Sequence, residues 1–263
     1  MILECENISS NNPKVRMSFS KAAPYYDEAT AFHQEIGRRL IERLYGLGRC
    51  KSILDVGMGT GWFTARLRQR FPCAVIVGLD FASGMIEAAK KRCAGLYIIE
   101  ADAGTLPFKD YAFDLITSNL AYQWAGDLSF AFRSSYDCLA AGGRFCFSMF
   151  GHGTFDELFI CLSRASEREF YIQRLAGKRD VASAMFSAGF TNINIAREVN
   201  KIYFPDMMAL LRWVKAIGAN VLRKDVFVGR KMLSRASDYY SRHFSHAGGI
   251  YASLEVLWVS AVK

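Results

Sequence analysis

Apolar residues in the first 150 positions alternate between short continuous runs and stretches with a three- and four-residue repeat. A short apolar run indicates a buried strand, and the longer repeat indicates an amphipathic helix. The predicted strands are residues 51–55, 73–79, 96–100, 113–118 and 143–150. The predicted helices between them are residues 61–70, 83–94 and 126–140. This alternation predicts an α/β fold with a doubly wound, mostly parallel sheet.

An amphipathic helix is predicted before the first strand. Ile36, Leu40 and Leu44 recur at four-residue steps within residues 24–47, which is the spacing of one helix face. Pro24 suits the first turn of such a helix, because the N–H that it lacks would have no partner there. We therefore expect one N-terminal helix over residues 24–47.

The pattern becomes mostly helical after residue 150. Helices are predicted at 154–175 and 180–188, followed by a strand at 190–203. Residues 205–246 are again mostly helical and precede a final strand at 250–261. Insertions of this length usually have a covering or functional role, so we expect a helical lid over the carboxyl edge of the sheet. A packed accessory subdomain without such a role is the alternative.

The 263 residues fit one large domain, with two domains the weaker possibility. Its predicted parts are an N-terminal cover and helix at 1–48, a sheet core at 49–203, a helical lid insertion at 204–247 and a final strand at 248–263. No apolar run reaches the roughly 18 residues of a membrane span. The amino terminus is polar and lacks an apolar signal core, so we predict a cytoplasmic protein without membrane contact.

The formal net charge of +8 favours an acidic partner, which could be nucleic acid, a membrane surface or an acidic protein. A soluble enzyme that happens to be basic is the alternative. The basic residues are not gathered into a tail, which argues against a disordered nucleic-acid arm. The seven cysteines include no C-x-x-C pair, a pattern typical of free thiols in a reduced compartment. His243 and His246 lack accompanying cysteines or carboxylates, so no metal is predicted.

The most specific motif follows the first predicted strand. Residues 53–61 read Ile-Leu-Asp-Val-Gly-Met-Gly-Thr-Gly, with an acidic residue at Asp55 and glycines at Gly57, Gly59 and Gly61. Glycines permit a sharp turn and the close approach of a ligand, and the following helix directs free N–H groups at the same crevice. Tryptophan occupies the third glycine position of a dinucleotide fingerprint, so that motif fails. The D-x-G-x-G-x-G spacing instead resembles the first motif of S-adenosylmethionine-dependent methyltransferases with a Rossmann-like core.

Acidic residues also follow the second and third predicted strands. Asp80 ends the second strand, where a carboxylate can accept hydrogen bonds from both ribose hydroxyls of a nucleoside. A cap for the helix beginning near Ser83 is the alternative role, although Ser83 is itself the better cap. Asp102 follows the third strand and could accept a hydrogen bond from an adenine amino group. Methyltransferases of this class carry acidic residues at these strand ends, so the resemblance implies S-adenosylmethionine as the cofactor. Further expected cofactor contacts are Phe81, Met85, Ala103 and Asn119.

A narrower resemblance covers nearly the whole chain, from about residue 16 to 263. The segments that carry it are residues 18–27 (SFSKAAPYYD), 120–124 (LAYQW), 142–145 (GGRF), 147–154 (FSMFGHGT), 204–219 (FPDMMALLRWVKAIGA) and 251–257 (YASLEVL). These segments resemble the malonyl-acyl-carrier-protein O-methyltransferases of biotin synthesis. The chain departs from that family at Met58, where cysteine is usual, and at Ser253-Leu254, where Thr-Tyr is commoner.

The resemblance implies an enzyme that methylates the free carboxylate of malonyl-acyl carrier protein with S-adenosylmethionine, without a metal. The product would be the methyl ester that starts pimeloyl synthesis. A carboxylate is already ionised near neutral pH, so we expect no general base and predict no catalytic residue. The expected partner is the acidic carrier protein, with no nucleic acid, and the expected state is a monomer.

Site residues outside the core follow from the same resemblance. The N-terminal segment is expected to fold over the cofactor through Phe19, Tyr26 and Gln34. Predicted substrate contacts are Tyr122, Gln123 and Trp124, although large aromatic residues are as often simple core residues. Arg212 and Lys215 lie three apart on one helical face and could hold the substrate carboxylate, or form a solvated basic face. Predicted carrier-protein contacts are Arg223, Lys224, Arg230 and Lys231.

Three other functions remain open from the sequence. A methyltransferase of a small metabolite or quinone would share every feature up to Asn119. An RNA methyltransferase would use the positive charge, but residues 118–121 (SNLA) lack the polar-Pro-Pro-aromatic tetrad of nucleic-acid amino methyltransferases. A non-enzymatic cofactor-binding module would keep Asp55 and Asp80 but lose the geometry of the transfer site.

Overall fold

A central sheet of eight strands organises the protein, whose computed structural model describes residues 13–166, 175–219 and 229–263. The strands are β1 (Ser52–Val56), β2 (Val75–Asp80), β3 (Tyr97–Glu100), β4 (Phe113–Asn119), β5 (Leu139–Phe150), β6 (Thr191–Phe204), β7 (Ser245–His246) and β8 (Gly249–Val262). Their order is β3-β2-β1-β4-β5-β8-β6, with β7 paired to β8. The first five strands are parallel, and β8 runs antiparallel between β5 and β6. The predicted α/β fold with a mostly parallel sheet is confirmed.

Helices cover both faces of this sheet. They are α1 (Pro13–Ala22), α2 (Tyr26–Ala29), α3 (Ala31–Arg43), α4 (Trp62–Arg70), α5 (Ser83–Arg92), α6 (Leu128–Cys138), α7 (Asp156–Ala165), α8 (Lys178–Ser187), α9 (Met207–Ala216) and α10 (Arg230–His243). Successive strand residues point to opposite faces. Ile53 packs in the cluster that contains α3 and α4 residues, whereas Leu54 packs in the cluster formed with α6 and α8. None of the described helices is both long enough and apolar enough to cross a membrane.

The N-terminal region differs from the single helix predicted over 24–47. A 3-10 turn and the two helices α2 and α3 replace it, and the helix is interrupted at Thr30, whose hydroxyl donates to Tyr26 O at 2.7 Å. α1 was not predicted, because it buries only Val15 and Phe19. Two apolar positions are too few for a helical repeat to be recognised. The segment therefore folds through contacts with the rest of the protein.

Residues of the predicted lid form a third layer with α7. Met207 and Leu210 of α9 pack in one apolar cluster with Leu158 of α7 and Tyr240 of α10. Helix α7 ends at Ala165 rather than continuing to 175 as predicted, and residues 167–174 lie outside the described part. The role of this layer as a lid remains a proposal.

Candidate functional site

The glycine-rich loop turns sharply between β1 and α4. Gly57, Gly59 and Gly61 have φ values of +71°, +55° and +76°, a region that residues with a Cβ rarely adopt. A Cβ at Gly57 would lie 2.2 Å from the Cβ of Ala121. Only glycine therefore lets the loop pass this close to the end of β4.

Asp80 holds this loop against the end of β2. Its carboxylate accepts hydrogen bonds from Gly59 N and Ala82 N, both at 2.8 Å. The side chain is 5% exposed, and burial raises its pKa to about 6 in spite of these hydrogen bonds. Asp80 thus accepts a hydrogen bond just before α5 and also lines the first cleft. A role at the start of the helix and a role in binding a ribose are therefore compatible.

Asp55 is the second buried carboxylate at the strand ends. Thr64 of α4 donates to its Oδ2 at 2.6 Å, while Oδ1 has no hydrogen-bond partner among the described residues. Burial, with a smaller contribution from the nearby charge of Asp80, raises the Asp55 pKa to about 7. A cationic ligand beside the loop would favour the ionised form of both carboxylates. The orphaned acceptor and the raised pKa values therefore fit the positively charged S-adenosylmethionine.

Two clefts meet at Gly57. The first has about 240 Å³ of empty space, and its lining residues include Asp80, Phe81, Ala103 and Trp124. The second has about 430 Å³. Its lining includes four residues predicted to contact the cofactor, which are Tyr26, Gln34, Gly59 and Asn119. The structure thus brings most of the predicted cofactor residues together in two clefts that share Gly57.

Five predicted cofactor residues lie outside the lining of both clefts, namely Phe19, Asp55, Gly61, Met85 and Asp102. Met85 is 2% exposed and packs in one apolar cluster with Phe19, so it supports the cover instead of facing the cleft. Asp102 accepts a hydrogen bond from Gly104 N at 2.6 Å. Gly61 directly precedes α4, and its position is fixed by close packing on Ala89. A direct cofactor contact of Met85 is therefore wrong for this structure.

The N-terminal segment packs beside the first cleft through Phe19. The Phe19 ring makes edge contacts with Phe81 at 5.8 Å and Trp124 at 5.1 Å between centroids. On its other side, a Cβ at Gly218 would lie 2.8 Å from Phe19 Cδ1. Phe19 is thus held between the cleft wall and the segment after α9. Arg16 anchors α1 by donating to Phe81 O at 3.0 Å.

A polar cluster fastens the cover to the glycine loop. The Asp27 carboxylate accepts a hydrogen bond from Thr60 Oγ1 at 2.6 Å and forms an ion pair with Arg92. Gln34 Nε2 donates to Asp27 O at 2.9 Å. Burial raises the pKa of the neighbouring Tyr26 above its usual value, as do the charges of Asp80 and Asp27. No sequence motif indicated the roles of Asp27, Thr60 and Arg92, because their contact joins segments distant along the chain.

The predicted substrate residues are dispersed. Tyr122 is fully buried, packs against Phe145 and Phe147, and shares a 2.7 Å hydrogen bond with Ser135 Oγ. It is a core residue, so its prediction as a pocket wall is wrong. Trp124 does line the first cleft. Gln123 donates to Leu120 O at 2.7 Å and lines neither cleft.

The predicted cationic residues do not reach the clefts. Arg212 and Lys215 are exposed, because Met207 and Leu210 form the buried side of α9. The placement of Arg212 inside the cleft is therefore wrong for this structure. The predicted carrier contacts Arg230 and Lys231 are exposed on α10. The other two predicted carrier contacts, Arg223 and Lys224, lie outside the described residues. Within the described ranges, no three potential metal ligands gather in one place.

Sequence reasoning missed His33, which lines the second cleft. Its ring is 9% exposed, and burial lowers its pKa to about 4. A single histidine in an amphipathic helix matches no motif. Its spacing from Ile36 and Leu40 showed only that it lies near the apolar face.

Known proteins resemble this chain over most of its length. The family model described as a methyltransferase domain matches residues 54–147. The chain is 34% identical over 250 residues to a malonyl-[acyl-carrier protein] O-methyltransferase of Methylococcus capsulatus, covering 92% of this chain and 90% of that protein. A protein of the same name from Geobacter sulfurreducens is 34% identical over 262 residues, covering 93% and 96%.

Solved structures share the fold. YcgJ of Bacillus subtilis matches with a TM-score of 0.63 at 16% identity, covering 88% of this chain and 98% of that one. Phosphoethanolamine N-methyltransferase 2 of Haemonchus contortus, solved with S-adenosyl-L-methionine, matches with a TM-score of 0.54 at 21% identity, covering 86% and 52%. At these identities the similarity shows the fold alone. Because the sequence similarity above covers nearly the whole chain, the protein belongs to the malonyl-[acyl-carrier protein] O-methyltransferase family and has the fold of the class I S-adenosylmethionine-dependent methyltransferases.

Proposed function

We propose that this protein transfers a methyl group from S-adenosylmethionine to the free carboxylate of malonyl-acyl carrier protein, which gives the methyl ester that starts pimeloyl synthesis for biotin. The observation that carries the proposal is the opening at Gly57, where buried carboxylates and a glycine-rich loop meet at the carboxyl ends of β1 and β2. The names of the relatives support the choice of substrate.

The residues around Gly57 can hold such a cofactor. Asp80 would accept hydrogen bonds from the ribose hydroxyls of the cofactor. Phe81 and Ala103 would lie beside the base, and Tyr26 and Gln34 would lie beside the methionine part. When bound, S-adenosylmethionine supplies an electrophilic methyl group on a positively charged sulfur. The ionised carboxylates of Asp55 and Asp80 would stabilise that charge.

The chemistry requires positioning more than proton transfer. The acceptor carboxylate is ionised at neutral pH, so no base has to remove a proton. The contribution of this chain would be to align the acceptor and to exclude water. Phe19 and the Asp27 cluster support this role, because they attach the N-terminal segment to the cleft wall and to the glycine loop, from where the segment would cover the bound cofactor.

Carrier recognition would use the basic surface of α10. Arg230 and Lys231 are exposed there, and the net charge of +8 complements an acidic carrier. Charge reversal at both positions should mainly raise KM for the carrier-bound substrate and flatten its salt dependence. Equal KM values at all salt concentrations for variant and wild type would exclude this surface.

Labelled methyl transfer tests the proposed function. The protein is incubated with methyl-labelled S-adenosylmethionine and malonyl-carrier, with acetyl-carrier as the matched control because it lacks a free carboxylate. We expect label on malonyl-carrier alone, as an ester that mild base releases. Label on both carriers, or on neither, would contradict carboxyl methylation of this substrate.

A small-molecule acceptor is the second candidate. No arginine or lysine lines either cleft among the residues that the structure describes, and this observation favours an uncharged acceptor such as a quinone or other small metabolite. The same assay with quinones and small acids separates the two functions. Turnover of a quinone without turnover of malonyl-carrier would establish the alternative.

A further inference from the structure

His33, at the start of α3, carries a buried polar atom that no described contact uses. Its imidazole lines the second cleft and is 9% exposed. Nδ1 is buried and has no hydrogen-bond partner among the described residues. A buried polar atom without a partner costs about 1–3 kcal/mol, so such atoms in native proteins usually have a reason.

Aromatic rings from three other elements surround this imidazole. The ring centroids of Phe150, Tyr26 and Trp213 lie 5.5, 6.2 and 6.3 Å from that of His33. Phe150 ends β5, Tyr26 begins α2 and Trp213 lies on α9. This group of four rings, the His33 chamber, therefore joins the end of the sheet to the N-terminal segment and to α9.

The backbone at His33 is fixed to the end of the sheet. Asn119 Nδ2 donates to His33 O at 3.0 Å, and Ser148 Oγ donates to Asn119 Oδ1 at 3.0 Å. Both oxygen and nitrogen of the Asn119 side chain are thus engaged by the protein. Asn119 therefore holds α3 in place across the ends of β4 and β5, which makes the position of the imidazole well defined.

The sheet order separates this group of rings from the carboxylate that would hold the cofactor ribose. The carboxylates that fit the cofactor lie at the ends of β1 and β2, on one side of the β1–β4 junction. Phe150 ends β5 and Asn119 ends β4, on the other side of that junction. Because His33 lines the second cleft together with Tyr26 and Gln34, an acyl group at the His33 end of that cleft would lie next to the methionine part of the cofactor.

We infer that the end of the second cleft beside the His33 chamber is the acyl-substrate subsite and that the His33 imidazole donates a hydrogen bond to an oxygen of the bound acyl thioester, either the carboxylate or the carbonyl. This inference rests on the proposed function. The burial that lowers the His33 pKa keeps the imidazole neutral at pH 7, with one N–H to donate. The surrounding rings would pack against the carbon chain of the substrate.

His33→Phe tests the inference, because it keeps a flat ring and removes both nitrogens. We expect kcat/KM for malonyl-carrier to fall about 5- to 150-fold, the equivalent of the 1–3 kcal/mol of a lost buried hydrogen bond. Cofactor affinity, measured by calorimetry with S-adenosylhomocysteine, should stay within about twofold. His33→Gln retains an N–H donor and should recover most of the lost kcat/KM.

Phe32→Leu is the matched packing control. Phe32 stacks on the same Phe150 ring at 6.3 Å but carries no polar atom. The Phe32→Leu substitution should lower the free energy of unfolding without a selective loss of kcat/KM for the acyl substrate. A binding measurement that does not depend on turnover is the titration of malonyl-CoA into protein saturated with S-adenosylhomocysteine, where His33→Phe should weaken binding and Phe32→Leu should not.

The outcomes separate the possible errors. Equal weakening of cofactor and acyl substrate by His33→Phe would assign the chamber to the cofactor and overturn the inference. If the wild type methylates malonyl-carrier and His33→Phe has the same kcat/KM, the inference is overturned and the proposed function stands. Absence of wild-type turnover with malonyl-carrier would refute the proposed function, and the inference with it.

Discussion

The Asp80 carboxylate gives a quantitative test of the site. Burial raises its pKa from the ordinary 3.8 to about 6, although it accepts two backbone hydrogen bonds at 2.8 Å. The folded protein therefore binds this proton more tightly than the unfolded chain does. A pKa difference of this size corresponds to about 3 kcal/mol of folding free energy.

The direction of the pH dependence follows from the raised value. Above pH 6 the folded state bears the full cost of a buried ionised carboxylate, and that cost disappears as the pH falls from 6 to 3.8. Asp80→Asn removes this titration. The free energy of unfolding of the wild type relative to the variant should therefore rise by up to about 3 kcal/mol between pH 7 and pH 4. Urea unfolding at several pH values measures it, and a difference independent of pH would refute the argument from burial.

The same variant reports on the cofactor. An asparagine side chain at this position cannot offer two carboxylate oxygens, and the loss of one buried partner costs about 1–3 kcal/mol. We expect Asp80→Asn to weaken S-adenosylmethionine binding roughly tenfold or more at pH 7, measured by calorimetry. Because the cofactor is cationic, wild-type affinity should also decrease as the pH falls below 6. Unchanged affinity in the variant would contradict the assignment of the cleft.

Three further outcomes follow from the structure. Tyr122→Phe removes the hydrogen bond to Ser135 and should lower stability by about 1 kcal/mol with kcat unchanged, whereas a large loss of kcat would restore Tyr122 to the substrate site. Deletion of residues 1–26 should abolish turnover while circular dichroism shows the sheet still folded, and full activity would show that the cover is dispensable. The wild type should lose about 3 kcal/mol of stability relative to His33→Phe as the pH falls from 6.5 to 4, because His33 is then protonated only in the unfolded chain. If the free energies of unfolding of the two proteins changed in parallel with pH, a buried neutral imidazole would be contradicted.

Local patterns were sufficient for the core of the fold. The apolar runs and their bounding glycines predicted β1 to β5 and the helices between them, because strand and helix periods are properties of short segments. The D-x-G-x-G-x-G loop predicted a ligand crevice for the same reason, since positive φ at Gly57 is a requirement of the backbone itself. The predicted single helix over 24–47 was wrong, because the interruption at Thr30 depends on how α2 packs against α9.

The sequence by itself determined the sheet, the glycine loop and the acidic strand ends, all of which depend on residue type within a few positions. Only the tertiary structure decided which side chains meet across distant segments. It turned Arg212 outward, buried Tyr122 in the core and joined Asp27 to Thr60. It also left His33 Nδ1 without a partner among the described residues, within a group of four rings. The physical reason is that a periodic pattern tells which side of an element is buried, whereas its neighbours depend on how all the elements pack together.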